Sequence, residues 1–213
     1  MFTGIVQSLV TVQSITDEGD LKRFCLDLGE FTKGLKLGAS VAVNGTCLTV
    51  TRVEQGSAYF DVIMETLRTT NLDSVGEGDQ VNVERSFQVG DEIGGHVLSG
   101  HVTGVAELLE RRVSGHDHVM TLNLNTQWAR YVFHKGFIAL DGASLTVSTV
   151  DREAQNFTIS LIPETLSRTT LGSLETGQTV NVEVDSQSVT TVDTVERLFA
   201  DPHWRAQMLA THT

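Results

Sequence analysis

Cysteine and proline each occur only twice in these 213 residues. Cys25 and Cys47 form no CxxC pair and no wider cysteine framework, which excludes a disulfide-stapled scaffold and argues against a structural zinc site. In "RFCLDLG", Phe24, Leu26 and Leu28 share one face of an extended chain, so Cys25 falls on the other and reads as a strand filler. Basic residues are also scarce: 15 Lys and Arg against 27 Asp and Glu leave a net charge of −12. The longest basic cluster is Arg111-Arg112. That is too small a patch for nucleic acid or an anionic membrane, both of which are polyanions. Long apolar runs are missing, each stretch being broken by charge or glycine, so no membrane span is expected. The opening "MFTGIVQSLVTVQS" has no basic leader and alternates like a strand. It is therefore not read as a signal peptide, and the cytoplasm is the expected compartment. What remains is an ordinary soluble balance, with 40% hydrophobic residues and a mean hydropathy of -0.02.

The chain repeats itself. "NGTCLTV" at 44–50 returns as "DGASLTV" at 141–147, with Cys47 in the first copy where Ser144 stands in the second. "ETLRTTNLDSVGEGDQVNVE" (65–84) meets "ETLSRTTLGSLETGQTVNVE" (164–183) without a gap. "AYFDVIM" (58–64) falls on "NFTISLIP" (156–163), which sets Phe60, Val62 and Met64 opposite Ile159, Leu161 and Pro163. "TGIV" (3–6) matches "SGHV" (99–102). The offset drifts from 96 through 97 to 99 along the copies, as small loop insertions would make it. Two tandem homologous domains are expected, over 1–87 and 88–186, with a tail over 187–213.

Each copy reads as strand. Alternating runs such as "HVMTLNLN", "NFTISL" and "QVNVE" recur between short turns of Gly, Asp, Asn and Ser. Neither copy contains a long helical pattern, so a closed antiparallel barrel, which leaves no exposed sheet edge, is the expected form. The tail differs: Val189, Val192, Val195 and Leu198-Phe199 recur at helical spacing, Ser188 suits an N-cap, and Asp201-Pro202 breaks the pattern. The apolar stripe of this helix must either fold back on its own barrel or join an oligomer core.

"MFTGIVQ", "NGTCLTV", "METLRTTNL", "GGHVLSGHV", "KGFIALDGASLTV" and "LIPETLSRTTLG" occur in this order, and the set resembles the riboflavin synthase family. The likeness runs from Met1 to about Arg197. It implies an all-β chain of two six-stranded antiparallel Greek-key barrels and a C-terminal α-helix that helps assemble a homotrimer. It implies an enzyme that moves a four-carbon unit between two molecules of 6,7-dimethyl-8-ribityllumazine. The products would be riboflavin and 5-amino-6-ribitylamino-uracil, with no cofactor, and an association with lumazine synthase is part of the same expectation. A reaction between two copies of one substrate needs two similar pockets. In the family the first barrel of one subunit faces the second barrel of a neighbour, stacking the lumazines in opposite orientations. Such positioning can remove about 7–11 kcal/mol of barrier.

By that similarity the first pocket comprises Gly4, Ile5 and Val6; Cys47, Leu48 and Thr49; and Asp61, Val62, Ile63, Met64, Glu65 and Thr66, with Phe2 covering the ligand. The second comprises Gly100, His101 and Val102; Lys135; Ser144, Leu145 and Thr146; and Ser160, Leu161, Ile162, Pro163, Glu164 and Thr165. The chemistry is asymmetric, since one lumazine loses a proton from its C7 methyl while the other accepts a nucleophile at C7. The copies must therefore have diverged. Cys47 for Ser144 is one divergence, and the thiol either stabilises the donor and its adduct or packs against the ring. His101, opposite Ile5, is a second, suited to general-base work because imidazole titrates near neutrality. Lys135 stands opposite Gly38 and Asp141 opposite Asn44, a pair that would orient its strand or stabilise an anionic lumazine, with a structural salt bridge as the other reading of Asp141. Ser40 and Asp185 match family positions near the site, and His96 is read as structural.

Other signals are weaker. "SGHDHV" sets His116 and His118 at H-x-H spacing but shows no third ligand, so a hairpin tip explains it better than a metal. Thr46 stands where the family often has a cysteine, and alternation sends it away from the pocket. A non-catalytic lumazine- or flavin-binding protein of the same fold is the alternative reading. The presence of His101, Lys135, Ser144 and the second "LIPET" speaks against it.

Overall fold

A computed structural model describes residues 1–115 and 117–205. Strands β1 (Ser8–Asp17), β2 (Leu21–Asp27), β3 (Ser40–Val43), β4 (Thr46–Glu54), β5 (Ser57–Ile63) and β6 (Gln80–Arg85) close into a barrel in the order β1-β2-β5-β4-β3-β6. Strands β7 (Gly104–Ser114), β8 (Asp117–Asn123), β9 (Phe137–Leu140), β10 (Ala143–Asp151), β11 (Asn156–Leu161) and β12 (Thr179–Val184) close into a second with the same order, and the strand pairs are antiparallel. Short helices α1 (Met64–Thr69) and α2 (Pro163–Arg168) follow β5 and β11, and α3 (Ser186–Ala200) ends the fold. The two six-stranded barrels and terminal helix expected from the sequence are present. His116 and the end of the 187–213 tail lie outside the described residues.

Alternation decides which side of each strand is core. Ala58, Phe60 and Val62 of β5, and Phe157, Ile159 and Leu161 of β11, point into their barrels and are buried. Removing a ring such as Phe60 or Phe157 would cost about 3–5 kcal/mol. The register slips between Val12 and Ser14 and between Val50 and Arg52, and again at the equivalent places, Leu108/Glu110 and Val147/Thr149. Such bulges bend the long strands and let six of them close.

The barrels meet at their Asn-Gly and Asp-Gly hairpins. Asn44-Gly45 and Asp141-Gly142 have φ of 43, 76, 45 and 81°, the pair of positive angles that a type I′ turn requires. The turns stand back to back, so that a Cβ on Gly45 would lie 2.6 Å from the Gly142 nitrogen. Around them the hydrogen bonds are reciprocal: Asn82 Nδ2 donates to the Asp141 carbonyl and Asn181 Nδ2 to the Asn44 carbonyl, each at 2.8 Å. This is the pattern of a self-complementary contact, here between two halves of one chain.

Asp141 does not meet Lys135. Its Oδ1 accepts from Asn71 Nδ2 (2.9 Å) and the Asn181 amide (2.8 Å), and its Oδ2 from Thr170 Oγ1 (3.2 Å). Lys135 is exposed in a left-handed turn (φ 62°) with its amide on the Val147 carbonyl. The reason is the hairpin itself, which turns Asp141 into the seam between barrels, where it is 2% exposed.

The end of the chain also departs from expectation. Asp185, not Ser188, caps α3: its carboxylate accepts from the Gln187 and Ser188 amides, which starts the helix earlier than its apolar stripe suggests. Val189 and Val192 pack on the second barrel, while Val195, Leu198 and Phe199 stay exposed. The first half of the stripe therefore folds back on its own barrel, while the second half is left uncovered by the described residues of this chain.

Burial pushes the Asp141 carboxyl up to about 7 against the pull of its three donors. A carboxyl raised on folding contributes stability fully present below its unfolded value near 3.8 and lost as pH climbs through about 7. At about 1.4 kcal/mol per pH unit the change is about 4 kcal/mol at most. Asp141→Asn, which copies Asn44, is expected to fold and to lack this slope. In urea unfolding it should gain on the parent chain steadily between pH 4 and 7.5, and parallel curves for the two proteins would refute the assignment.

Candidate functional site

Before β1 and β7 begin, each barrel's leading segment lies across the other barrel. Phe2 and Leu98 pair through reciprocal amide–carbonyl bonds of 2.9 Å, an isolated antiparallel bridge on the seam. Past it, the Gly4 carbonyl accepts from the Ser144 amide (2.8 Å) and the Gly100 carbonyl from the Cys47 amide (2.9 Å). Residues of both barrels therefore line each of two open clefts. One, of about 280 Å³, gathers Cys47, Glu65, Thr66, Thr69, His101 and Val102. The other, of about 180 Å³, gathers Ile5, Val6, Ser144, Glu164, Thr165 and Arg168.

This exchanges part of the expected grouping. Gly4, Ile5 and Val6 accompany Ser144, not Cys47, and Gly100, His101 and Val102 accompany Cys47, not Ser144. Aligning the copies identifies equivalent residues, but equivalence says nothing about which barrel a crossing segment touches.

The clefts lie on the outer faces of the barrels, because the strands that carry them alternate. Cys47 is half-buried and Thr49 exposed, while Leu48 and Val50 between and beyond them enter the core. Val62 and Leu161 are likewise core, and Leu145 packs against it. Asp61 is held by Arg23, which donates from Nε (2.7 Å) and a terminal nitrogen (3.2 Å). Ile63, Met64 and Ile162 are exposed, and α1 and α2 start with Met64 and Pro163, setting Glu65-Thr66 and Glu164-Thr165 against the clefts. Thr146 is exposed, and the hydroxyl of exposed Ser160 lies 3.2 Å from that of Ser148. Ser40 sits opposite Thr49 in the β3–β4 ladder. Phe2 is buried with Ala42, Leu98 and Ala139, and Cys47 packs on this cluster. Thr46 is buried, as alternation requires.

Ser144 of the second cleft is bonded to a buried residue that does not itself line the cleft and that reads as structural in the sequence. His96 stacks on Phe137 (5.0 Å between centroids, 16° between planes), and its Nδ1 lies 2.6 Å from Ser144 Oγ. Its Nε2 is buried with no partner among the described residues. Burial lowers its pKa below the usual imidazole range, partly opposed by the carboxylate of Asp185. A neutral ring with one nitrogen on a serine hydroxyl can take a proton through that hydroxyl. Comparing the copies could not reveal it, because the likeness between them begins at "TGIV" and "SGHV", after His96.

Two glutamates were also passed over. Glu84 and Glu183 close the repeated "VNVE" strands and are buried, at 3 and 7% exposed, with their carboxylates on the leading segments. Among the described residues no group of three His, Cys, Asp or Glu side chains could hold a metal ion, and no helix is long and apolar enough to cross a membrane.

The lumazine binding domain family matches this chain twice, over residues 3–86 and 99–185. The riboflavin synthase of Escherichia coli (strain K12) is 45% identical over 202 residues, 94% of either chain. That of Chlamydia pneumoniae is 43% identical over 201 residues, 94% of this chain and 98% of its own, and that of the yeast Meyerozyma guilliermondii is 37% identical over 195. Among solved structures, LumP complexed with riboflavin superposes with a TM-score of 0.79 at 26% identity, over 87% of this chain and all of that one. Twin barrels, paired clefts and near-full-length likeness agree: the chain belongs to the lumazine-binding domain family, among the riboflavin synthases.

Proposed function

We propose that the protein is a riboflavin synthase that binds one 6,7-dimethyl-8-ribityllumazine on each barrel and transfers a four-carbon unit between two such molecules. Riboflavin and 5-amino-6-ribitylamino-uracil leave. Because one substrate loses the unit that the other gains, the exchange balances without an external oxidant or reductant. The observation that carries this reading is a pair of clefts alike in construction and unlike in chemistry. The first offers the Cys47 thiol and His101, the second the Ser144 hydroxyl backed by His96.

In the second cleft, Ser144 and His96 act as one proton relay for the C7 methyl of a bound lumazine, the imidazole accepting what the hydroxyl passes on. In the first, Cys47 supports the facing lumazine or its adduct, and His101, at the rim, serves the same proton traffic. Glu65 and Thr66, with Glu164 and Thr165, suit the ribityl hydroxyls. Thr49, Asp61, Thr146, Ser160 and Lys135 complete the outer walls in this reading, while Ser40, Asp141 and Asp185 act through the strands and helix they hold.

Both clefts, of about 280 and 180 Å³, fall below the roughly 300–1,000 Å³ that encloses a small ligand. This favours a second wall, which we assign to the opposite barrel of a neighbouring subunit in a homotrimer. Exposed Ile63, Met64 and Ile162 at the starts of α1 and α2 and Val195, Leu198 and Phe199 on α3 suit such contacts. A cytoplasmic location and association with lumazine synthase complete the proposal, as does the division into lumazine-binding domains over 1–87 and 88–186 with an oligomerisation helix and tail over 187–213.

Purified protein mixed with the lumazine alone is expected to form one riboflavin for every two lumazines consumed, followed by flavin absorbance. Tight binding with no flavin formed would make the chain a carrier instead. Ser144→Ala and His96→Gln should each lower kcat by about 10²-fold or more. The double variant should be little worse than either, because a relay fails once. His96 must be neutral to accept a proton, so kcat/KM is expected to fall with pH only below the ordinary imidazole range, and His96→Gln should lose that acid limb. Additive losses, or an unchanged limb, would remove the relay.

A further inference from the structure

Each leading segment is fastened to its own barrel by one buried carboxylate. Glu183 Oε1 accepts from the Ser99 amide and the Ser99 hydroxyl, both at 2.8 Å, and its Oε2 from the Gly100 amide at 3.0 Å. Glu84 repeats this on the other side: Oε1 accepts from the Thr3 amide (2.6 Å) and hydroxyl (2.8 Å), and Oε2 from the Gly4 amide (3.1 Å). The same hydroxyls then accept the next amide along, His101 on Ser99 Oγ at 3.1 Å and Ile5 on Thr3 Oγ1 at 3.3 Å. The segment is thus fixed up to the residue that enters the cleft.

The far side of each segment grips the opposite barrel. Gly100 (φ 79°) presents its carbonyl to the Cys47 amide so closely that an added Cβ would lie 2.6 Å from Cys47 Cβ. Gly4 (φ 75°) does the same to Ser144, at 2.5 Å. No side chain fits there, so the position of the segment becomes the position of the strand residue beneath it.

We infer that Glu84 and Glu183 are positioning residues that work crosswise: Glu183 of the second barrel sets Cys47 and His101 in the first cleft, and Glu84 of the first barrel sets Ser144 and Ile5 in the second. Each carboxylate accepts three charge-assisted bonds through a rigid two-residue link, and no side-chain contact of either with Cys47 or Ser144 is needed. The two half-sites are therefore mutually built, because neither barrel carries the whole support for its own reactive side chain. The inference deepens the two-lumazine reading, yet its central measurement needs no turnover.

Glutamine in place of either glutamate keeps the shape but turns one acceptor into a donor facing an amide or hydroxyl donor. The experiment follows alkylation of residue 47 by iodoacetamide, by peptide mass analysis of the full-length protein, with buried Cys25 as the internal control. Glu183→Gln is expected to speed alkylation at Cys47 by about tenfold, equivalent to losing one such bond, and Glu84→Gln to leave it within about twofold. In a Ser144→Cys background the order should reverse, with Glu84→Gln speeding alkylation at position 144 and Glu183→Gln not. A general loss of stability would speed both positions in both variants. Should a glutamine variant fail to fold, Ser99→Ala and Thr3→Val each remove the two bonds of one hydroxyl while leaving the amide bonds to the carboxylate, and should show the same crosswise pattern. Acceleration at the cleft of the same barrel, equal acceleration at both, or no acceleration at either would overturn the inference. A crosswise pattern in a protein that makes no riboflavin would leave it standing while removing the catalytic reading.

Discussion

The arrangement of this molecule depends on the seam where two hairpin turns stand back to back. Gly45 and Gly142 approach to contact distance, and the amides of Asn82 and Asn181 bond to the carbonyls at the start of the opposite turn. These groups are buried, and leaving any one unpaired would cost its desolvation, about 1–3 kcal/mol. The two barrels are therefore held in one relative placement by groups that cannot separate without exposing or orphaning one another. Because the partners are homologous, the contact is self-complementary, and whatever lies near it on one barrel is met by its counterpart on the other.

From this follows the crossing of the leading segments. Phe2 and Leu98 bridge along the seam, so the chain entering each barrel has already passed over its neighbour. A segment that must reach two barrels carries glycine where it touches the far one and is tied by a glutamate on the near one. The clefts are consequently joint products of both halves. Symmetry supplies two sites of the same build, and substitution at a few places makes them differ: Cys47 against Ser144, His101 against Ile5, Thr69 against Arg168. The linker adds a further difference, since His96 reaches Ser144 while, among the described residues, no histidine is hydrogen-bonded to Cys47.

Much of this was legible in the residues. Alternation in "NFTISL" and "QVNVE" marked the strands, and the Asn-Gly and Asp-Gly pairs marked their hairpins. The repeat announced two barrels, and the two clefts gather several residues that its motifs named, Cys47, Thr66, His101, Ser144 and Thr165 among them. Where the structure departs from that reading or adds to it, the cause is shared. Lys135 and Asp141 lie six residues apart and look like a pair, but a type I′ turn sends Asp141 into the seam and leaves Lys135 outside. His96 reads as structural, and its bond to Ser144, 48 residues away, is a contact that only the fold supplies. Ser188 looked like the cap of α3, although the Asp185 carboxylate reaches the free amides of the first turn, Ser188 among them.

The sequence by itself determined the local and the periodic: strand faces, turn types, the doubled unit, and the family to which its motifs belong. These follow from interactions between residues close in the chain, or from comparison of like with like. Only the tertiary structure decided which barrel each leading segment serves, which serine receives His96, and that two buried glutamates anchor the segments. Those outcomes depend on how two closed barrels are placed side by side, and that placement is set by contacts between turns far apart in the chain, about which periodicity carries no information.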